Sequence, residues 1–229
     1  MNHTLTFNWM MGFVIAAMAL GAGQAQAAYV IPMIGGAQLG PMDGTPMKHL
    51  DISFDGTNLS VHVDDMVPTP LLRPLESPDE FDPAEPWAVL TDKAYNYQYG
   101  WNPAGFITLP SNSAIWVQRL SQDSGLESYQ RPPASPPYAS IFASDGDIWQ
   151  WSGSMTHNVY AVLNPTQSVY SASYRVYLGD SVTGVALDGY GSDDVTLLFN
   201  ATVSAVPEPG TAMMLTLAGA AMLRRRRTA

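Results

Sequence analysis

The chain has no cysteine among its 229 residues. That removes disulfides, thiolate metal sites, iron–sulfur clusters and cysteine nucleophiles together, without assigning a redox compartment. Basic residues are scarce as well, ten Lys and Arg against twenty Asp and Glu. Four of those ten are Arg224, Arg225, Arg226 and Arg227, so residues 28–205 keep only Lys48, Arg73, Lys93, Arg119, Arg131 and Arg175 against nineteen acids. Binding to a phosphate backbone needs a basic surface, so nucleic acid is not expected as a partner; cations or uncharged ligands suit this body better. No G-x-S-x-G, HExxH, P-loop or Rossmann fingerprint occurs, and no two carboxylates stand out as a glycosidase pair, so the chain is not expected to be an enzyme. No internal repeat and no helix-periodic stretch is found in the body.

What is present begins with the two ends, which read as addresses. An apolar run over residues 10–22 precedes Ala25-Gln26-Ala27, the small-x-small pattern that a signal peptidase accepts, so residues 1–27 are predicted to be a signal peptide cut after Ala27. No Lys or Arg precedes the run, and only the α-amino group supplies positive charge there. At the other end, Pro207-Glu208-Pro209 breaks the chain ahead of an apolar segment, 211–223, which the four arginines follow. At 1.5 Å per residue, about 13 residues fall short of the roughly 20 that cross a bilayer. Arginines resist translocation, so the cluster holds the C-terminus on the cytoplasmic side and leaves the body outside.

These three parts in order, over residues 206–229, resemble the PEP-CTERM sorting tail. The resemblance implies recognition by an exosortase in the inner membrane of a Gram-negative-type bacterium, transient membrane insertion through the tail, and removal of the tail near Pro-Glu-Pro. The destination it implies is the outer surface or the extracellular matrix, with exopolysaccharide as a neighbour.

Residues 28–205 form the working body. Runs such as HLDISF, LSVHV, WAVL, YNYQY, AIWVQR, ASIFA, IWQW, VYAVL, SYRVYL and VTLLFNATV recur between Gly, Pro, Asn and Asp clusters. They predict an all-β body of about ten strands, β-sandwich or jelly-roll-like, between the signal peptide and the short C-terminal apolar helix. The proline-rich stretch 67–86 is predicted to be a surface excursion unable to form a central strand, and RPPASPPY a shorter one.

The most informative stretch is HLDISFDGTNLSVHVDD, beginning at His49. Strand side chains alternate, so Leu50, Ile52 and Phe54 face one way and His49, Asp51 and Ser53 the other. In the second run, Leu59, Val61 and Val63 oppose Ser60, His62 and Asp64. With Gly56-Thr57 as a two-residue loop, Asp51 lies opposite His62 and His49 opposite Asp64. Two imidazoles and two carboxylates then share one patch, open to three readings: a solvated hairpin face, a site for Zn²⁺ or a similar divalent ion, or general acid/base chemistry without an accompanying nucleophile. Of the four histidines, His3 belongs to the signal peptide. The remaining one, His157, follows Trp149, Trp151 and a Gly-Ser turn.

The order HLDI, DGTNLSVHV, PWAVL, Trp101, IWVQRL, Trp149 and a late His before a Tyr-rich strand resembles surface-anchored proteins of the choice-of-anchor M type. That resemblance implies metal handling and carries over to His49, Asp51, His62 and His157; this chain has a lone His157 where the family has a paired histidine motif. Asp145-Gly146-Asp147 and Asp193-Asp194 lack a full calcium loop and read as turns. Tyr95, Tyr97 and Tyr99 lie on one face, either as core packing or as stacking surfaces for sugar rings. Two expectations follow: a metal-binding surface protein using His49, Asp51, His62, Asp64 and His157, or a structural or glycan-binding matrix protein without metal.

Overall fold

The computed structural model describes residues 28–36, 45–131 and 138–203. Ala25 and Ala27 of the expected signal peptide, the expected sorting tail with Pro207, Glu208, Pro209 and its arginines, and most of RPPASPPY lie outside the described residues. The described chain is mostly β, in several sheets with no barrel.

In chain order the strands are β1 (Tyr29–Val30), β2 (Lys48–Phe54), β3 (Leu59–Val63), β4 (Leu71–Leu72), β5 (Glu80–Phe81), β6 (Lys93–Asn96) and β7 (Tyr99–Pro103). They continue with β8 (Ser113–Gln122), β9 (Leu126–Gln130), β10 (Ala139–Ile141), β11 (Ile148–Gln150), β12 (Val159–Leu163), β13 (Val169–Asp180) and β14 (Asp193–Ala201). One sheet has the order β3-β2-β7, a second β10-β9-β12-β6 and a third β11-β8-β13-β14-β4, while β1 and β5 pair by themselves.

The three larger sheets share one core. Leu50 and Ile52 of β2, Val162 of β12, and Val117, Val176, Leu197 and Phe199 of the third sheet belong to the same buried cluster. Aromatic rings fill the space between sheets edge to face: Trp101 against Tyr174 at 5.8 Å and 84°, and Tyr99 against Phe199 at 5.2 Å and 81°. Such pairs add directional preference to the burial of large apolar area. The other face of the second sheet is covered too, with Tyr95, Tyr129, Val159 and Ala161 packed on Ile34, Phe81 and Leu90. Strand β12 is therefore buried on both sides up to Leu163, which is why VYAVL is continuously apolar instead of alternating.

The hairpin forms as its alternation predicts. Asp51 pairs with His62, Ile52 with Val61 and Phe54 with Leu59. Asp55 caps the turn, its Oδ1 accepting from the backbone N–H of Thr57 at 2.8 Å and of Asn58 at 2.7 Å, while Gly56 takes φ 99°, a conformation open to glycine.

Elsewhere the predicted strands need correction. PWAVL is a 3-10 helix, Pro86–Leu90, since Pro fits a first helical turn and Leu90 alone needs burial. YNYQY splits: β6 ends at Asn96, and the chain crosses from the second sheet to the first through Tyr97 and Gln98. Asn96 holds the crossing, its Oδ1 accepting from Gln98 N–H at 2.7 Å. LESYQ, polar in composition, is strand β9. The proline-rich stretch keeps to an edge, with β4 last in the third sheet, but it is not wholly superficial, since Leu72 and Phe81 are buried.

Candidate functional site: an imidazole pair across Gly100

Strand β2 lies between antiparallel β3 and parallel β7. Paired residues point to the same side of a sheet, so the polar face of β2 can be followed across the strands. One row runs His62, Asp51, Asn102. In the next, the backbone N–H of Asp64 donates to the His49 carbonyl at 3.0 Å, and His49 pairs with Gly100. Beyond β7, Trp101 and Thr156 exchange backbone hydrogen bonds of 2.9 and 3.0 Å. That bridge brings His157 alongside Gly100.

Gly100 makes the second row unusual. A Cβ built on it would lie 2.7 Å from His157 Cε1 and 2.9 Å from His157 Nε2. The imidazole therefore occupies the space a side chain at position 100 would need, on the face that also carries His49. A glycine within a strand is the signature of such a close approach.

The orientation of His157 is set by its other nitrogen. Nδ1–H donates to the Tyr97 carbonyl at 2.9 Å, and a carbonyl can only accept, so neutral His157 carries its proton on Nδ1 and presents a lone pair at Nε2. Burial lowers the affinity of His157 for a proton below that of a free imidazole; the Tyr97 carbonyl and, more weakly, the Tyr99 backbone oppose this, while Arg131 and His49 reinforce it. Arg131 sits 4.2 Å from the centroid of the Tyr97 ring. Both His49 Nε2 and His157 Nε2 are buried and have no hydrogen-bond partner in the protein. Buried polar nitrogens are normally satisfied, so these two, which flank Gly100 and are among several such atoms in the described residues, point to a ligand or to water.

The five-residue ligand set expected from the sequence does not assemble. Among the described residues, no three His, Cys, Asp or Glu side chains are grouped to hold a metal ion. Asp51 is engaged by Asn102, whose Nδ2 donates to its Oδ1 at 2.7 Å. Asp64 Oδ1 accepts from Met66 N–H at 2.9 Å. His62 is exposed on β3, at the far side of β2 from His157. Three strand spacings of about 4.8 Å put the backbones of His62 and His157 about 14 Å apart, against two spacings, about 10 Å, between His49 and His157. Besides the cross-strand neighbours Asp51 with His62 and His49 with Asp64, the structure sets His49 and His157 on either side of Gly100.

Sequence reasoning passed over Gly100 and the Tyr97 carbonyl, although a lone Gly inside the aromatic run YNYQYGW was a visible cue. The other candidates resolve as architecture. Tyr95, Tyr97 and Tyr99 are all buried, so none offers a face to a sugar. Asp145 pairs with Arg119 at 2.9 Å, and Asp147 Oδ2 accepts from Ser144 N–H at 2.8 Å. Asp193 Oδ2 accepts from Val61 N–H at 2.8 Å, tying edge strand β3 to the third sheet, and Asp194 takes both arms of Arg175 at 2.9 and 3.0 Å.

Comparison with protein-family models, with curated proteins and with solved structures finds no match for this chain.

Proposed function

We propose that the chain is an exported, non-catalytic protein destined for the cell surface or extracellular matrix, with a β-sandwich body that takes a divalent transition ion through His49 and His157. The layered body, with three sheets on one core, supports the sandwich reading. The address at each end supports export, with PEP-CTERM-type processing by an exosortase after signal-peptide removal. The observation that carries the metal reading is the pair of buried, unpartnered Nε2 atoms, one of them held in its tautomer by the Tyr97 carbonyl. A metal-ligating histidine characteristically donates its second N–H to a carbonyl or carboxylate in this way.

Neutral imidazole suits Zn²⁺ and its neighbours in the first transition row. Two protein ligands leave the other coordination positions to water or to a partner. Such a site is built to take up and release an ion, whereas a structural zinc site is closed by four protein ligands.

Titration of the metal-stripped full chain with Zn²⁺ against a chromophoric chelator tests the reading. One site is expected, abolished in His49→Ala and in His157→Ala and retained in His62→Ala. No binding by the parent chain, or equal binding by both His49→Ala and His157→Ala, overturns it. For the address, tagged protein is expected at the cell surface in an exosortase-bearing host. Replacing the four arginines by alanine is expected to stop processing of the tail, and unchanged processing would refute the sorting assignment.

A further inference from the structure

A concavity whose lining includes neither His49 nor His157 lies between the β7–β8 connection and the turn after β11. It encloses about 800 Å³, within the range of small-ligand sites. Phe106, Ile107 and Trp151 are among its apolar lining residues, and Ser113, Gln150 and Ser152 among its polar ones. No charged residue lines it, on a body whose acids outnumber its bases nineteen to six.

Its parts differ in how firmly they are held. Trp151 is buried and fixed, its Nε1–H donating to Ser154 O at 2.8 Å and its backbone N–H to Ile115 O at 3.0 Å. Phe106 is 98% exposed, so its whole ring meets water although the fold gains nothing from placing it there. Gln150 makes only a long 3.4 Å contact through Nε2 to Ser181 O, which leaves its carbonyl free. Ser152 Oγ shares one 2.8 Å hydrogen bond with Ser154 Oγ, and a hydroxyl has further capacity beyond that.

The geometry points to a binding site for an uncharged saccharide, with Phe106 as the stacking platform and Gln150 and Ser152 as the groups that read hydroxyls. A sugar ring has one face of C–H groups, which packs on an aromatic ring, and a rim of neutral donors and acceptors, which amide and hydroxyl side chains match. The absence of lining charge selects against both classes of charged ligand. A cation would find no carboxylate in the cleft, and a polyuronate would meet the acidic body with no basic residue to receive it. This site is independent of the imidazole pair, and neither reading needs the other.

The test uses the full chain with neutral hexasaccharides of glucose, mannose and galactose, a hexauronate of equal length, and an uncharged hexapeptide. Binding is read by saturation-transfer NMR and by tryptophan fluorescence, since Trp151 is among the lining residues. At least one neutral hexasaccharide is expected to bind, about tenfold more weakly to Phe106→Ala and nearly unchanged to Phe106→Tyr and to the exposed-site control His62→Ala. Because Phe106 is exposed, the thermal midpoint of Phe106→Ala should equal that of the parent, which separates lost binding from lost folding. The proposal is overturned if no neutral saccharide binds, if Phe106→Ala binds as the parent does, or if the hexauronate or the peptide is preferred.

Discussion

The His157 ring stands over Gly100, with Nε2 2.9 Å from the position a Cβ there would take. That contact joins the loop after β11 to the polar face of the hairpin and makes His157 a neighbour of His49. Position 100 is thus a sensitive probe of the site.

Gly100→Ala forces the ring aside, and inserting a carbon into a filled site costs about 1–3 kcal/mol. Chemical denaturation is expected to show that loss in the single variant. Combining it with His157→Ala should recover most of it, because the ring that clashes is gone, and the double-mutant cycle reads the coupling directly. Additive losses would mean that the ring does not occupy this space.

The pH dependence of stability follows from the same residue. Folding lowers the proton affinity of His157, by burial first. The unfolded chain therefore binds more protons there between the folded value and about 6.5, and stability rises with pH across that window. Stability from this group is complete above about pH 6.5 and is lost as pH falls toward the depressed folded value. Urea midpoints measured between pH 4.5 and 7.5 are expected to lose that part of their slope in His157→Gln.

The Tyr160 hydroxyl is fully buried beside Trp101 and Tyr174 without well-formed hydrogen-bond geometry to either. Removing an unsatisfied buried hydroxyl while keeping the ring is close to neutral or stabilising by about 1 kcal/mol. Tyr160→Phe is therefore expected to hold or raise the denaturation midpoint, whereas Tyr160→Ala is expected to cost about 3–5 kcal/mol.

Alkaline pH tests the same core. Burial pushes the Tyr174 hydroxyl up to about 12 and raises that of Tyr160 well above its ordinary value. The unfolded chain releases these protons near pH 10 while the folded chain keeps them, so stability is expected to fall as pH rises above about 10. Spectrophotometric titration at tyrosinate wavelengths should show those groups ionising only with unfolding.

The two faces of the hairpin are expected to respond oppositely. Leu50 is fully buried and His62 exposed. Leu50→Ala should cost about 3 kcal/mol, and His62→Ala should stay within about 0.5 kcal/mol. A large loss in His62→Ala would return it to the site.

The hairpin was legible because two local signals agreed. Alternation separated the faces, and Asp55-Gly56 set the loop, so the register from Leu50 to Val63 followed without knowledge of anything beyond the hairpin. Strand β9 was not legible, since the Glu, Ser and Gln in LESYQ suggest a loop. It is a strand because β10 and β12 pair with it on either side. PWAVL shows the converse, an apolar run that reads as a strand yet closes as a 3-10 turn behind Pro86.

By itself the sequence determined the β class, the faces of the hairpin and the charge of the body, all properties of residues near one another in the chain. Only the tertiary structure decided that His157 shares Gly100 with His49 and leaves His62 some three strands away. That choice depends on which strands lie side by side: β7 runs parallel to β2 and presents Gly100 to both histidines. Strand order across a sheet is settled by burial of the shared core, which sums contacts over the whole chain and leaves no mark in any local pattern.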